Sequence, residues 1–272
     1  MKSIKKKTIF RTLKWMIFLY AFIGIALFFL QDYFLFHPVK LARDYRYQFN
    51  TSFEEVDIPF KKNDTINMVK FLPAESIRKG VVIYFHGNKG NINRYAKFAG
   101  NFTKQGYEVW MEDYPGFGKS IGVRSEEILY QQASKIYTMA LNKYAKEQII
   151  IFGKSFGTGI AAQLASVKDC RQLILETPYY SIPDLFSCYA PIYPVINMTN
   201  YKIPTNLFLQ KVKAPITIFH GTDDGVIPYR CAVKLKTVLK PTDEFITIED
   251  GTHHNLNEFP LFHQKLDSLL IQ

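Results

Sequence analysis

The chain has 272 residues, of which 47% are hydrophobic, so it is long enough for one α/β domain with a large core and too apolar to be disordered. Its formal net charge is +10 at pH 7, and the first fourteen residues contribute six basic residues and no acidic one. Because much of the basicity belongs to this tail, nucleic-acid binding has little support.

A segment of sixteen uncharged, mostly apolar residues, 15–30, follows the basic tail. As a helix it would extend roughly 24 Å, slightly short of a hydrocarbon core of about 30 Å. It is apolar all round, which disfavours a helix lying in the membrane interface. A cleaved signal peptide is the main alternative, but bulky side chains at 28–30 stand where a cleavage site needs small ones. The segment therefore predicts an uncleaved single-pass anchor.

The charges that flank this segment predict its orientation. Basic residues precede it and Asp32 follows it, which places the N-terminus in the cytoplasm and the rest of the chain on the extracytoplasmic side. The predicted organisation is a basic tail and membrane anchor at 1–32, followed by a catalytic domain at 33–272.

Downstream, two strand-like runs at 53–60 and 65–72 are joined by a polar turn and predict an antiparallel hairpin at a sheet edge. After this hairpin, short apolar runs alternate with longer amphipathic ones. Such alternation predicts a doubly wound, mostly parallel sheet with helices on both faces. The expected strands are 81–85, 107–111, 149–152, 172–175, 216–219 and 245–248, and the expected helices lie near 91–105, 124–144, 156–165, 229–239 and 256–270.

The pattern Gly-x-Ser-x-Gly at 153–157 lies between the strand at 149–152 and the helix that follows it. The pattern alone is weak, but a strand before it and a helix after it are typical of a nucleophile elbow. Gly153 and Gly157 lack a Cβ, so neighbouring backbone can approach both corners of the turn. We therefore predict that Ser155 adopts a strained conformation with its Oγ above the sheet.

A serine hydroxyl is a poor nucleophile near neutral pH, so it needs a base, and the base needs an acid to orient it. Ligands of doubly wound sheets bind beyond the carboxyl ends of the strands. Asp223 and Asp224 follow one predicted strand, and His253 and His254 follow the next. The order Ser, Asp, His is that of the α/β-hydrolases.

Several motifs together resemble the membrane-anchored α/β-hydrolase domain-containing serine hydrolases and their bacterial relatives. The resemblance extends from about residue 33 to the C-terminus and is far more specific for the fold than for the substrate. It implies an α/β-hydrolase fold with a short lid insertion at about 178–213. The motifs are His86-Gly87-Asn88, the Asp-Tyr-Pro-Gly-Phe-Gly-Lys-Ser run at 113–120, the elbow at 153–157, Glu176-Thr177-Pro178, and His220-Gly221-Thr222-Asp223-Asp224.

The resemblance also implies particular site residues. A carboxylate three residues before an (Ile/Val)-Pro pair corresponds to Asp224, with Glu176 as an alternative acid. A histidine three residues before Leu256 corresponds to His253, with His254 as the alternative base.

For the oxyanion hole, the backbone N–H groups of Asn88 and Phe156 are expected. The remaining polar residues of these motifs are expected to be structural: His86 and His220 shape loops, and Asp113 fixes one. His37 and His263 have no place in the pattern and are expected to be surface or packing residues.

The sequence leaves open the role of the insertion and the state of the cysteines. The aromatic and proline residues of the insertion either cover the core or form an apolar wall for an acyl group. Cys170, Cys188 and Cys231 show no metal-binding spacing, and their odd number argues against a complete disulfide framework. We expect free, buried thiols for most of them, with one bridge as the alternative.

The resulting prediction is a membrane-anchored serine hydrolase that cleaves carboxylic esters or thioesters through a Ser-His-Asp triad and an acyl-enzyme. The alternatives are a serine peptidase of the same fold and a non-catalytic, membrane-anchored interaction module. The expected partners are a small acyl ester or thioester substrate and the membrane, without nucleic acid, cofactor or metal.

Overall fold

A long N-terminal helix, α1, precedes the domain in the computed structural model, which describes residues 2–74 and 78–271. Helix α1 spans Lys2–Leu35, 34 residues, and contains no proline to interrupt it. Its portion Lys7–Leu35 is long and apolar enough to cross a membrane, and the most apolar window of that portion is not buried against the protein. By length and composition it is therefore a possible membrane anchor.

The central element of the domain is an eight-stranded sheet with the strand order β10-β9-β8-β7-β4-β6-β3-β2. Six of these strands are parallel to one another, while β2 pairs antiparallel with β3, and β3 antiparallel with β6. A separate two-stranded pairing joins β1 to β5. The strands are β1 (His37–Pro38), β2 (Phe53–Pro59), β3 (Thr65–Phe71), β4 (Gly80–Phe85), β5 (Lys89–Gly90), β6 (Tyr107–Glu112), β7 (Ile149–Lys154), β8 (Gln172–Glu176), β9 (Ile216–Gly221) and β10 (Glu244–Ile248).

Strand β7 shows why the sheet is buried on both faces. Ile149 and Ile151 pack into one hydrophobic cluster, and Ile150 and Phe152 pack into a second cluster on the opposite face. Since successive side chains of a strand alternate between faces, a run of apolar residues needs helices on both sides. The helices are α2 (Ile92–Tyr95), α3 (Gly100–Thr103), α4 (Glu126–Leu141), α5 (Gly157–Val167), α6 (Ile182–Tyr189), α7 (Val195–Met198), α8 (Thr205–Leu209), α9 (Tyr229–Ala232) and α10 (Pro260–Ile271).

The predicted edge hairpin and mostly parallel sheet are confirmed, but three predicted helices are wrong as continuous elements. The segment near 91–105 divides into α2, a 3₁₀ turn and α3. The segment near 229–239 is α9 followed by a 3₁₀ helix at Val233–Val238, where β-branched residues lower the helix propensity. In the last segment a 3₁₀ turn at Leu256–Glu258 precedes α10, which begins at Pro260, because a proline favours the first position of a helix.

The expectation that most cysteines are free thiols is also wrong. Cys188, in α6, and Cys231, in α9, form a disulfide with a Cα–Cα distance of 6.9 Å, and Cys170 is free. The two partners are 43 residues apart in sequence, and tertiary packing of α6 near α9 brings them together. Their spacing along the chain therefore carried no signal for the pairing.

The insertion segment, which we define as residues 178–213, carries α6, α7 and α8 and contacts α1. The ring of Tyr20 stacks on that of Tyr193 with 4.6 Å between centroids. Gln31 donates from Nε2 to the carbonyl oxygen of Met198 at 3.2 Å and accepts at Oε1 from the backbone N–H of Asn200 at 2.6 Å. The second half of α1 is thus held against the insertion segment by both polar and aromatic contacts.

Candidate active site

Ser155 occupies the sharp turn between β7 and α5 with a φ of 52°. This is the left-handed region, which is unfavourable for a serine and is typical of strained functional positions. An added Cβ on Gly157 would lie 2.1 Å from the carbonyl oxygen of Phe85, and one on Gly153 would lie 2.6 Å from Cα of Thr158. Both glycines are therefore required for the close approach that the turn demands.

The structure brings Ser155, His253 and Asp224 together at the carboxyl ends of the strands. Nε2 of His253 lies 2.8 Å from Oγ of Ser155, and Nδ1 of the same ring lies 2.8 Å from Oδ2 of Asp224. The other carboxylate oxygen of Asp224 accepts hydrogen bonds from the backbone N–H groups of Val226 at 2.8 Å and Ile227 at 2.7 Å. A hydroxyl, an imidazole and a fixed carboxylate thus form one hydrogen-bonded chain.

The alternative residues lie outside this chain. Asp223 and His254 are both exposed. Glu176 is buried, but its carboxylate pairs with Nζ of Lys154 and accepts a long contact from Nδ2 of Asn257 at 3.4 Å. Only Asp224 and His253, among the residues considered for acid and base, have the geometry that the chemistry requires.

The electrostatics of Asp224 favour its ionised form. Burial raises the pKa of its carboxyl, but the hydrogen bond and charge of His253 and the N–H of Ile227 outweigh burial and hold the pKa below its usual value. His220 lies beneath this group, with Nε2 2.9 Å from the carbonyl oxygen of Ile227 and 3.5 Å from Oδ2 of Asp224. Burial lowers the pKa of His220, so the ring supports the loop as a neutral group.

Residues of the other motifs fix loops around the site. Nε2 of His86 lies 3.2 Å from Oδ1 of Asp113, and the same oxygen accepts the N–H of Ile92 at 3.0 Å. Tyr114 donates from its hydroxyl to the carbonyl oxygen of His86 at 2.6 Å. These contacts are those of structural residues and involve no atom of Ser155 or His253.

The two residues expected at the oxyanion hole are both neighbours of Ser155, Asn88 in the same cavity and Phe156 in the chain. Asn88 lines the cavity above Ser155, and its Nδ2 donates to the carbonyl oxygen of Leu35 at 2.5 Å, so the C-terminal end of α1 positions this loop. Its own carbonyl oxygen accepts from the N–H of His37 at 2.9 Å. Phe156 follows Ser155 directly and occupies the N-cap position of α5.

A cavity of about 380 Å³ opens above Ser155 and His253. Its rim carries the exposed cations Lys89, Arg94 and Lys97, and no acidic residue lies in its described lining. The cavity is therefore electropositive, a property that sequence analysis missed although all three residues follow the His86-Gly87-Asn88 motif closely. Across residues 2–74 and 78–271, no three His, Cys, Asp or Glu side chains are arranged to hold a metal ion.

Two further lining residues were not anticipated. His37, which the sequence placed at the surface or in packing, lies at the edge of this cavity, and so does Phe34 from the last turns of α1. His37 reaches the cavity because β1, which contains it, pairs with β5, directly after Asn88. Periodicity within α1 gives no indication of that pairing.

Comparison with known proteins supports the fold. A family model described as serine aminopeptidase, S33, matches residues 76–208. The α/β hydrolase domain-containing protein 17C of Xenopus tropicalis is 28% identical over 197 residues, which cover 69% of this chain and 59% of the relative. The human protein of that name is 27% identical over 197 residues, covering 69% of this chain and 56% of the relative. The matched part of this chain thus covers less than two thirds of the length of these curated relatives.

Solved structures show the same architecture at low identity. The esterase Pf2001 of Pyrococcus furiosus superposes with a TM-score of 0.65 at 17% identity, covering 87% of this chain and 97% of that one. The ferulic acid complex of Est1E from Butyrivibrio proteoclasticus gives a TM-score of 0.60 at 18% identity, covering 76% and 95%.

Proposed function

We propose that this chain, a member of the α/β-hydrolase superfamily, is a serine hydrolase that cleaves carboxylic esters or thioesters through an acyl-enzyme. The single observation that carries the proposal is the hydrogen-bonded chain from Oγ of Ser155 through the ring of His253 to Asp224, with 2.8 Å at each link to the ring. This chain supplies the nucleophile, the base and the orienting acid that acyl transfer requires.

The first half of the reaction forms the acyl-enzyme. Oγ of Ser155 attacks the acyl carbonyl carbon while Nε2 of His253 takes the hydroxyl proton, and the carbonyl electron pair moves to oxygen. Asp224 stabilises the charged ring by accepting the hydrogen bond from Nδ1. When the intermediate collapses, the bond to the leaving alcohol or thiol breaks, and His253 returns the proton to that group.

In the second half, water replaces the leaving group. The water oxygen attacks the acyl carbon while His253 takes a proton from that water. His253 then returns the proton to Oγ of Ser155 as the bond from Oγ to the acyl carbon breaks. The products are the carboxylic acid and the regenerated serine. Each tetrahedral intermediate carries a negative oxygen, and the backbone N–H groups of Asn88 and Phe156 are the donors that we assign to it.

Two features support the assignment of those N–H groups. The N–H of Phe156 lies at the start of α5, where the helix dipole favours negative charge. In the described part of the chain, neither this N–H nor that of Asn88 donates a hydrogen bond to another residue. Both donors therefore remain available for an oxyanion.

A peptidase is the second candidate, because the matching family model is described as a serine aminopeptidase. An aminopeptidase must bind the positive α-amino group of its substrate. The cavity above Ser155 carries Lys89, Arg94 and Lys97 on its rim and no acid in its described lining, so it would repel such a group. The electrostatics therefore favour an ester or thioester substrate.

The proposed location is the extracytoplasmic face of a membrane, with α1 as a single-pass anchor. Helix α1 has the length and composition of a membrane span, and basic residues precede its apolar part. The disulfide between Cys188 and Cys231 supports this side of the membrane, because disulfides persist in oxidising compartments.

The test uses the full chain in detergent. We expect a fluorophosphonate probe to label the wild-type protein and short-chain p-nitrophenyl esters to be hydrolysed, while Ser155→Ala abolishes both. A wild-type protein that neither labels nor turns over ester, or a Ser155→Ala variant that labels equally well, would contradict the proposal and favour a non-catalytic interaction module.

A further inference from the structure

A second cavity, of about 300 Å³, lies between α1 and the insertion segment. Helix α1 supplies one wall through Leu27, Gln31 and Phe34, and the insertion segment supplies the other wall, which includes Phe186, Val195 and Met198. The walls are almost entirely apolar. A cavity of this kind binds hydrocarbon in preference to a polar group.

The second cavity shares a wall residue with the cavity that contains Ser155. Phe34 lines both of them. Met198 lines both the second cavity and a third hollow, which runs along α1 beside Gly24 and Phe28. Three hollows thus form a row that starts at the nucleophile and follows the surface of α1.

Polar contacts hold the two walls of the second cavity together without making its interior polar. Both ends of the buried Gln31 amide bond to the backbone of the insertion segment, at Met198 and Asn200. Tyr20, about two helical turns before Leu27 in α1, donates from its hydroxyl to the carbonyl oxygen of Ile192 at 2.9 Å. The polar atoms therefore satisfy one another, and apolar side chains are left to face the cavity.

We infer that α1 forms one wall of the acyl-chain site, so that Leu27 and Phe34 determine which chain lengths the enzyme accepts. The carbonyl of the substrate lies at Ser155, and its hydrocarbon chain passes Phe34 into the second cavity. The inference rests on the proposed hydrolase function. It assigns to the membrane helix a role in substrate selection besides anchoring.

Leu27→Trp would fill the cavity from the α1 side and leave the apolar character of the helix unchanged. For the wild-type protein, kcat/KM should rise from p-nitrophenyl butyrate to p-nitrophenyl laurate, by up to roughly fourfold for each methylene group that becomes buried. Leu27→Trp should lower the ratio of laurate to butyrate kcat/KM by at least about tenfold, because the loss of laurate turnover should far exceed any loss of butyrate turnover.

The matched control is Leu19→Trp, which places the same substitution on an exposed part of α1 outside the three hollows. It should leave the ratio unchanged in the same detergent micelles. Val195→Phe fills the cavity from the insertion segment and should reproduce the effect of Leu27→Trp independently of α1. The thermal unfolding midpoint of each variant, followed by circular dichroism, reports whether the protein is folded.

The outcomes separate the inference from the proposed function. A wild-type protein that hydrolyses butyrate, with Leu27→Trp and Val195→Phe both keeping the wild-type ratio, would overturn the inference and leave the hydrolase assignment standing. An equal loss of butyrate and laurate turnover in both variants would also overturn it, because the walls would then be only structural. Absence of ester turnover and of probe labelling in the wild type would instead remove the hydrolase assignment.

Discussion

Nδ1 of His253 lies 2.8 Å from Oδ2 of Asp224, and both side chains are buried. Their sequence neighbours Asp223 and His254 are exposed. We expect Asp224→Asn and His253→Ala to lower kcat for a short ester by roughly 10³- to 10⁴-fold, because each removes part of the proton-transfer chain. Asp223→Asn and His254→Ala should change kcat by less than about tenfold. Comparable losses at Asp223 or His254 would reverse the choice of acid or base.

The cations around the cavity predict a preference for anionic acyl substrates. The p-nitrophenyl monoester of glutaric acid carries a carboxylate, and p-nitrophenyl valerate is its neutral counterpart of equal chain length. Arg94→Gln should lower kcat/KM for the glutarate ester about 2- to 5-fold relative to the valerate, the size of effect expected for an exposed charge. Added salt should reduce the difference. Arg46→Gln, at an exposed position outside the cavity lining, is the control.

The ion pair between Lys154 and Glu176 is buried next to Ser155. Lys154→Met leaves the carboxylate of Glu176 buried without its cation, and we expect it to reduce the free energy of unfolding by about 3–5 kcal/mol. The double variant Lys154→Met/Glu176→Leu should lose much less, because no unpaired charge remains. Urea unfolding followed by circular dichroism measures both. If the loss in the double variant equals the sum of the losses in Lys154→Met and Glu176→Leu, the two residues act independently and the prediction is wrong.

Glu112 predicts a dependence of stability on pH. Among the described residues, neither of its buried carboxyl oxygens has a hydrogen-bond partner, and burial, with the nearby charge of Asp113, raises its pKa well above 4.5. The folded protein therefore keeps a proton that the unfolded chain releases above about pH 4.5, so the contribution of this group to stability declines as the pH rises. Glu112→Gln should be more stable than the wild type at pH 8, on the order of 1–3 kcal/mol, and the difference should shrink towards pH 5.

Glu108 lies on the same strand as Glu112 and predicts the opposite dependence of stability on pH. Burial raises the pKa of its carboxyl, but hydrogen bonds from Lys143 and Trp110 outweigh burial and lower the pKa below its usual value. Glu108 therefore stabilises the folded protein fully above the pKa that it has in the unfolded chain. This stabilisation is lost as the pH falls through its pKa in the folded protein. Glu108→Gln should destabilise the protein at pH 8. The same sign of effect for Glu108→Gln and Glu112→Gln in thermal unfolding would contradict this account.

The disulfide between Cys188 and Cys231 predicts different behaviour for the three cysteines. Cys188→Ser should reduce the free energy of unfolding by about 2–4 kcal/mol, since the bridge restricts the unfolded chain. Cys170→Ser should have little effect, and burial raises the pKa of the Cys170 thiol to about 12, so alkylation of the native protein at pH 8 should be slow. Mass spectrometry without reductant should find the 188–231 cross-link; two alkylated thiols at these positions would refute it.

The sequence was most informative where local chemistry decides the structure. The apolar run at 149–152 and the two glycines at 153 and 157 leave few alternatives to a buried strand followed by a tight turn. The order of strands in the sheet was not predictable in this way, because it depends on crossover connections. The prediction of a continuous helix near 91–105 was wrong because apolar periodicity does not distinguish a continuous α-helix from successive short turns.

Long-range contacts account for what the sequence could not provide at the site. Counting from the motifs favoured Asp224 and His253, and the structure brings both of them to Ser155. Nothing in the sequence connected the end of α1 to the loop at Asn88, so Phe34 was not anticipated in the cavity above Ser155. Its position there depends on a tertiary contact, the hydrogen bond from Asn88 to the carbonyl oxygen of Leu35.

The bonds of Gln31 to Met198 and Asn200 have a practical consequence for preparing the protein. Deleting α1 to obtain a water-soluble domain would leave a backbone carbonyl and an N–H without their partners and would uncover apolar side chains of the insertion segment. An exposed apolar patch promotes aggregation. The shortened protein would therefore still need detergent, and purification should retain the helix from its first apolar turn.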